Sequence, residues 1–241
     1  MFCAWAGAQS PPQSPDYARE KRWADEITPA IIVGKPLYLA LKSGHKFLAI
    51  HTPNATARAG VIVVHGMGVH PDWNVINALR SQLADQGYTT LSVQMPVRAA
   101  DAKAGQYLAL FPEAAERLQT AVNFLRDNGN RKIAIVSHGM GARMVNHFIA
   151  NSGAGAIDAW VAAGISSGEF AQAETFKAPV LDIFGENDSP AVLAHAAKRA
   201  DAIRRVRGSE QVSVAGADHD FNSAQSELVK HVKRFLDHAT R

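Results

Sequence analysis

"IAIVSHGMGAR", residues 133–143, decides how the rest of the chain is read. Ile133 to Val136 are a continuous apolar run, the pattern of a strand covered on both faces. Gly139 and Gly141 then punctuate the chain, and "GARMVNHFIANSG" (141–153) carries apolar residues at helical spacing. A buried strand that turns on glycine directly into a helix is half of a strand–helix–strand unit.

The same alternation runs outward in both directions. Before it, "GVIVVHG" (60–66) reads as a strand, "NVINALRSQLADQG" (74–87) as a helix, "YTTLSVQMP" (88–96) as a strand and "PEAAERLQTAVNFLRDNGN" (112–130) as a helix. After it come strands at "IDAWVAAGI" (157–165), "APVLDIFG" (178–185) and "EQVSVAG" (210–216). Helices are expected at "SPAVLAHAAKRADAIRR" (189–205) and "SAQSELVKHVKRFLDH" (223–238). "PLYLAL" (36–41) and "KFLAIHT" (46–52) flank "KSGH", a hairpin turn. Repeated units of this kind imply an α/β fold: a three-layer sandwich with a mostly parallel central sheet. It forms one domain over residues 31–241. The connection "SSGEFAQAETFK" (166–177) is too short for a cap domain, so any lid comes from the first ~35 residues or from "VRAADAKAGQYLALF" (97–111).

Composition narrows the function classes. The chain is 47% hydrophobic and 20% charged with a net charge of +3, and its acidic and basic residues are interspersed. That excludes a nucleic-acid patch. No stretch approaches the ~18 apolar residues of a membrane-spanning helix. Cys3 is the single cysteine, which rules out an internal disulfide framework. Residues 1–30 are set apart as an N-terminal tail. "MFCAWAGAQS" offers the cleavage patterns Ala4-Trp5-Ala6 and Ala6-Gly7-Ala8 before "PPQSP", like the remnant of a secretory signal. The expected location is therefore the bacterial periplasm or the exterior; the alternative, an irregular N-terminal tail, leaves the protein in the cytoplasm.

The strand ends carry the chemistry: "HGMGVHPDW" (65–73), "SHGMGAR" (137–143), "FGENDSP" (184–190) and "AGADHDF" (215–221). Glycine turns, an acid and a histidine in that order resemble the α/β-hydrolase superfamily, over residues 36 to 239. The superfamily's elbow is Gly-x-Ser-x-Gly, followed in the chain by an acid and a histidine. The resemblance therefore implies Asp188 as the acid and His219 as the base. The elbow aligns with Ser137-His138-Gly139-Met140-Gly141, so Gly139 takes the nucleophile's position. Ser137, two residues earlier, belongs to the strand and points across the sheet. Glycine fits the apex because it adopts positive φ without strain.

A binding site would remain without a nucleophile. The backbone N–H groups of Met140 and of Met67 or Gly68 are expected to form an anion pocket at a helix N-terminus, beside His138. His65, His70, His138 and His219 are expected to converge above the sheet. Asp188, or Asp218 and Asp220, would complete a metal site with these histidines, but no recognised ligand spacing such as His-Glu-x-x-His occurs, so neither a metal nor a cofactor is expected. Within the superfamily the chain resembles a bacterial branch of unknown function, many members exported, with Gly-His-Gly-x-Gly at the elbow. Its "HPDW" matches residues 70–73, while Ser137 departs from the branch's usual glycine. Two main readings follow: a non-catalytic module that binds a small molecule or a partner, or a slow esterase-type hydrolase using His219–Asp188 to activate water. A purely structural partner of an envelope complex is a third. The sequence specifies neither the ligand nor an oligomeric state.

Overall fold

The structure, a computed structural model, describes residues 14–152, 155–167, 170 and 178–241. Cys3, the small-x-small patterns and much of the 166–177 connection lie outside the described residues. The strands are β1 (Lys35–Ala40), β2 (Lys46–Thr52), β3 (Gly60–Val64), β4 (Thr89–Val93), β5 (Ile133–His138), β6 (Ala159–Ala163), β7 (Val180–Gly185) and β8 (Glu210–Val214). They form one sheet in the order β1-β2-β4-β3-β5-β6-β7-β8. β1 and β2 pair as an antiparallel hairpin, Lys35 opposite His51 and Ala40 opposite Lys46, and β2 meets β4 antiparallel. From β4 onward every pairing is parallel. The expected α/β sandwich with a mostly parallel sheet is present, and no cap domain is evident among the described residues.

Side-chain alternation along the parallel strands creates two cores. Val61, Val63, Ala134 and Val136 face α2 (Asn74–Asp85) and α7 (Gln225–Ala239). Ile62, Val64, Ile133 and Ile135 face α3 (Phe111–Asp127) and α4 (Met140–Ser152). Every residue of β3, β5, β6 and β7 is buried. Helices on both faces explain why these strands read as unbroken apolar runs. The helix expected over 189–205 is divided into α5 (Pro190–Leu193) and α6 (Ala196–Ile203). At the break the Val192 carbonyl accepts from Arg199 Nη1 at 2.9 Å.

Residues 17–27 lie in the segment set apart as a tail, yet they form a docked helix, α1 (Tyr17–Ile27). Asp16 caps it by accepting from the Arg19 amide at 2.9 Å, satisfying one of the first-turn donors. Its buried face presents Glu20, whose carboxylate takes two bonds from the fully buried Arg117 of α3. Arg117 also donates to the Gln94 carbonyl just beyond β4, at 2.9 Å. A helix held by a buried ion pair needs no long apolar stripe, which is why the sequence pattern did not reveal it.

A second buried pair lies under the other half of the sheet. Arg199 Nε donates to Asp182 Oδ2 at 2.8 Å, both side chains being inaccessible to solvent, and Gln211 donates to the same oxygen at 2.6 Å. Removing one partner would strand a charge in the interior. Arg199→Ala is therefore expected to lower the unfolding free energy by about 3–5 kcal/mol, measured as a drop in urea midpoint. Asp182→Leu combined with Arg199→Met should recover most of the loss. Equal losses in the single and double variants would refute this account.

Candidate functional site

The turn between β5 and α4 forms at Gly139, whose φ is +54°, a region costly for any residue with a Cβ. The Gly139 amide donates to the Ala163 carbonyl of β6 at 2.9 Å, which pins the bend to the neighbouring strand. An ideal Cβ at this position would lie 3.3 Å from His219 Nε2. Ser137 behaves as a strand residue. Its hydroxyl is buried, donates to the Val161 carbonyl at 2.9 Å and accepts from the Trp160 indole at 2.9 Å.

The acid and the histidine meet from two other strand ends. Asp188, after β7, accepts from His219 Nδ1 at 2.7 Å and from the Ser189 amide at 2.6 Å. This leaves His219 Nε2 as the lone-pair nitrogen facing Gly139. The pair also needs Gly164 at the end of β6, with φ +58°. A Cβ there would come within 3.0 Å of the His219 ring and 3.3 Å of the Asp188 carboxylate. Burial alone would raise the Asp188 carboxyl, but the His219 bond and two backbone N–H groups hold it below its ordinary value. The Asp188 bond lifts His219 above its ordinary value despite partial burial.

The other histidines separate into different roles. His138 packs against His219, ring centroids 4.8 Å apart, and its Nε2 donates to the His219 carbonyl at 2.8 Å. Its Nδ1 is buried without a hydrogen-bond partner among the described residues. His65 is sealed beneath the turn: Nδ1 donates to the Gly66 carbonyl at 2.8 Å, and Nε2 accepts from the Met95 amide at 2.8 Å. Burial pushes its pKa down to about 3, so it stays neutral. His70 lies edge-on to Trp23 of α1, centroids 5.8 Å apart. The expected convergence of four histidines is thus a convergence of two. His65 and His70 are taken up by backbone groups and by α1.

These residues border a cleft of about 430 Å³ at the carboxyl ends of the parallel strands, lined by Met67, Trp73, Met140, Ser166, Ser189 and Asp220 beside His138, Gly139 and His219. Gly68 stands slightly back, with its carbonyl accepting from Arg19 Nη2 at 3.3 Å. Arg19 also bonds the Arg98 carbonyl at 2.8 Å and stacks over Trp23. The loop 97–111 adds Ala104, at the start of the 3₁₀ helix Ala104–Leu110. Within "HPDW" the middle residues are structural, Arg80 Nε donating to Asp72 at 2.6 Å and Ser92 to the Pro71 carbonyl at 2.6 Å, while Trp73 reaches the cleft. Trp73, Ser166 and Ser189 were not singled out as ligand contacts, because only folding brings their loops together, whereas Asp220 follows His219 directly in the chain. A larger hollow of about 610 Å³ lies between α1 and the β1–β2 edge and contains none of these strand-end groups.

The model of the dienelactone hydrolase family matches residues 47–240. The chain belongs to the dienelactone hydrolase family. The match runs from β2 to the end of α7, so it includes the cleft and excludes α1. No curated protein matches the sequence. Among solved structures, an esterase from Pyrococcus furiosus superposes with a TM-score of 0.69 at 16% identity, over 86% of this chain and 93% of that one. A dienelactone hydrolase from Anabaena variabilis gives 0.68 at 18% identity, over 86% and 97%. An α/β serine hydrolase homologue from Coxiella burnetii gives 0.65 at 14%, over 86% and 99%. At such identities the likeness is one of fold.

The titration shifts predict a pH response. His219, raised in the fold, stabilises it fully below the ordinary histidine value of 6.5, and this contribution fades as pH rises through the folded value. Asp188, lowered, contributes above its ordinary value and loses that contribution as pH falls through the folded one. His65 acts oppositely: below 6.5 the unfolded chain takes up a proton that the fold refuses, so acidification toward about 3 costs stability. In histidine-ring NMR, His65 should not titrate between about pH 5 and 8. His219 should titrate above 6.5 and fall in Asp188→Asn. An unmoved His219 midpoint in that variant would contradict the pairing.

Proposed function

We propose that this hydrolase-fold protein uses its strand-end cleft to bind a small molecule through a carbonyl or carboxylate oxygen, without forming an acyl-enzyme. The observation that carries this reading is Gly139 at φ +54°, the residue His219 Nε2 faces, which offers no attacking atom. The nearby Ser137 hydroxyl is engaged with Val161 and Trp160. What such a site retains suits an oxygen ligand. Met140 opens α4, where the helix dipole favours negative charge, and the His219 ring, whose pKa the Asp188 bond raises, adds positive charge once it is protonated. The apolar body of a ligand would lie against Met67, Val69 and Trp73.

A second reading is a slow hydrolase of esters or thioesters in which His219, oriented by Asp188, draws a proton from water. It is favoured by the His219 side chain standing 37% exposed in the cleft while Asp188 behind it is buried. Family membership and the esterase and dienelactone hydrolase neighbours support this substrate class. General-base help of this kind is worth roughly 10²–10⁴-fold.

Short p-nitrophenyl esters separate the two. The unaltered protein should remain at buffer background, while Gly139→Ser should exceed it by about tenfold or more if base and anion pocket are intact. A fluorophosphonate should label Gly139→Ser alone. Turnover by the unaltered protein that disappears in His219→Ala would displace the first reading in favour of the second, and label on Ser137 would overturn both.

A further inference from the structure

We infer that the floor of the cleft is a site for a zinc-type divalent ion, held by His138 Nδ1, His219 Nε2 and the Asp220 carboxylate. One ligand atom from each of these residues falls within 4.8 Å of the other two. Two side-chain-free positions bound the space between the imidazoles. A Cβ on Gly66 would lie 3.2 Å from His138 Nδ1, and one on Gly139 would lie 3.3 Å from His219 Nε2. A side chain at either position would crowd the ring nitrogen that the ion needs.

The protonation pattern of both rings points the same way. Metal-binding histidines characteristically donate their other ring N–H to a carboxylate or a backbone carbonyl, which fixes the tautomer and turns a lone pair toward the ion. His219 Nδ1 donates to Asp188 at 2.7 Å, freeing Nε2. His138 Nε2 donates to the His219 carbonyl at 2.8 Å, freeing Nδ1. That Nδ1 is buried and has no hydrogen-bond partner among the described residues, on a side chain only 2% exposed. A buried acceptor left without a partner is destabilising, and a cation would satisfy it.

The donor set defines the class of ion. Two imidazoles and one carboxylate suit zinc and its first-row neighbours, whereas calcium and magnesium prefer an all-oxygen shell. Zinc holds nitrogen and oxygen ligands at roughly 2.0–2.2 Å. The cluster must therefore tighten on binding, and Asp220, half-buried on a loop, is the member with room to turn. Three protein ligands leave a fourth position toward the cleft, as in zinc centres that also take a small molecule. No sequence motif marks this set, because His138, at the end of β5, lies 81 residues from His219, on the loop after β8.

The inference draws on the proposed function only in taking residue 139 as free of a reacting side chain. Metal binding is measured without any ester or organic ligand, so its failure would leave the oxygen-ligand reading standing. The test uses full-length protein stripped with EDTA, with Zn²⁺ affinity set by competition against a chromogenic chelator and stoichiometry by elemental mass spectrometry. One zinc per chain is expected. Asp220→Asn should weaken binding by about tenfold or more, and Asp188→Asn by roughly 10–100-fold through loss of His219 orientation. The exposed His195→Ala should leave affinity unchanged, and Co²⁺ in place of zinc should give the absorption bands of a four-coordinate site. Because His138→Asn affects a buried side chain, its zinc affinity is read only alongside an intact circular dichroism spectrum, with Asp220→Asn as the independent arm. No stoichiometric zinc, or an affinity unmoved by both Asp220→Asn and Asp188→Asn, would overturn the inference.

Discussion

The bend at residue 139 is the constraint on which the site depends. A strand alternates its side chains, so the residues leading into the bend face opposite ways. Ser137 turns toward β6 and locks onto Val161 and Trp160, while His138 rises toward the loop after β8 and holds the His219 carbonyl. The bend then starts α4 at Met140, beside the cleft. A shift of one residue in this register would exchange the roles of Ser137 and His138 and separate β5 from the last loop.

Three buried arginines support the loops that carry the site. Arg80 fixes residues 70–73 through Asp72 and reaches the Val33 carbonyl at 2.6 Å. Arg117 fastens α1 to α3 and to the end of β4. Arg199 joins Asp182 within the sheet to the Val192 carbonyl, four residues after Asp188. Each guanidinium spreads several donors in one plane, so a single side chain can satisfy carboxylate and backbone acceptors together. The strand ends are thereby held by polar groups where apolar packing ends, and the cleft keeps its shape without a covering domain.

The fold was legible because its information is periodic. The apolar runs of β3, β5, β6 and β7 and the helical spacing of α3 and α7 follow directly from burial on two faces or on one. The Asp188–His219 pairing was legible too, since superfamily order places an acid and a histidine after successive strands, and the two side chains do meet. Two features were hidden for physical reasons. Helix α1 is anchored by Glu20 and Arg19, polar residues that resemble a solvated surface in sequence although their partners lie in α3 and the 68–98 region. Ser166 and Ser189 border the cleft only because of how their loops fold back, and no spacing rule records that. His65 and His70 illustrate the opposite error: histidine at a strand end signals a site, yet a carbonyl, an amide and a tryptophan occupy these two.

The contact between Arg19 and the Gly68 carbonyl ties the cleft to a helix outside the family match. The family match begins at residue 47, so α1 lies outside the part of the chain that the family shares, yet it grips the loop forming one wall of the cleft. Changes at Arg19 or Trp23 would adjust the tilt of that wall while leaving every residue facing the ligand untouched. The helix is thus a lever on the cleft from outside it, acting through a backbone carbonyl instead of through any side chain that lines the site.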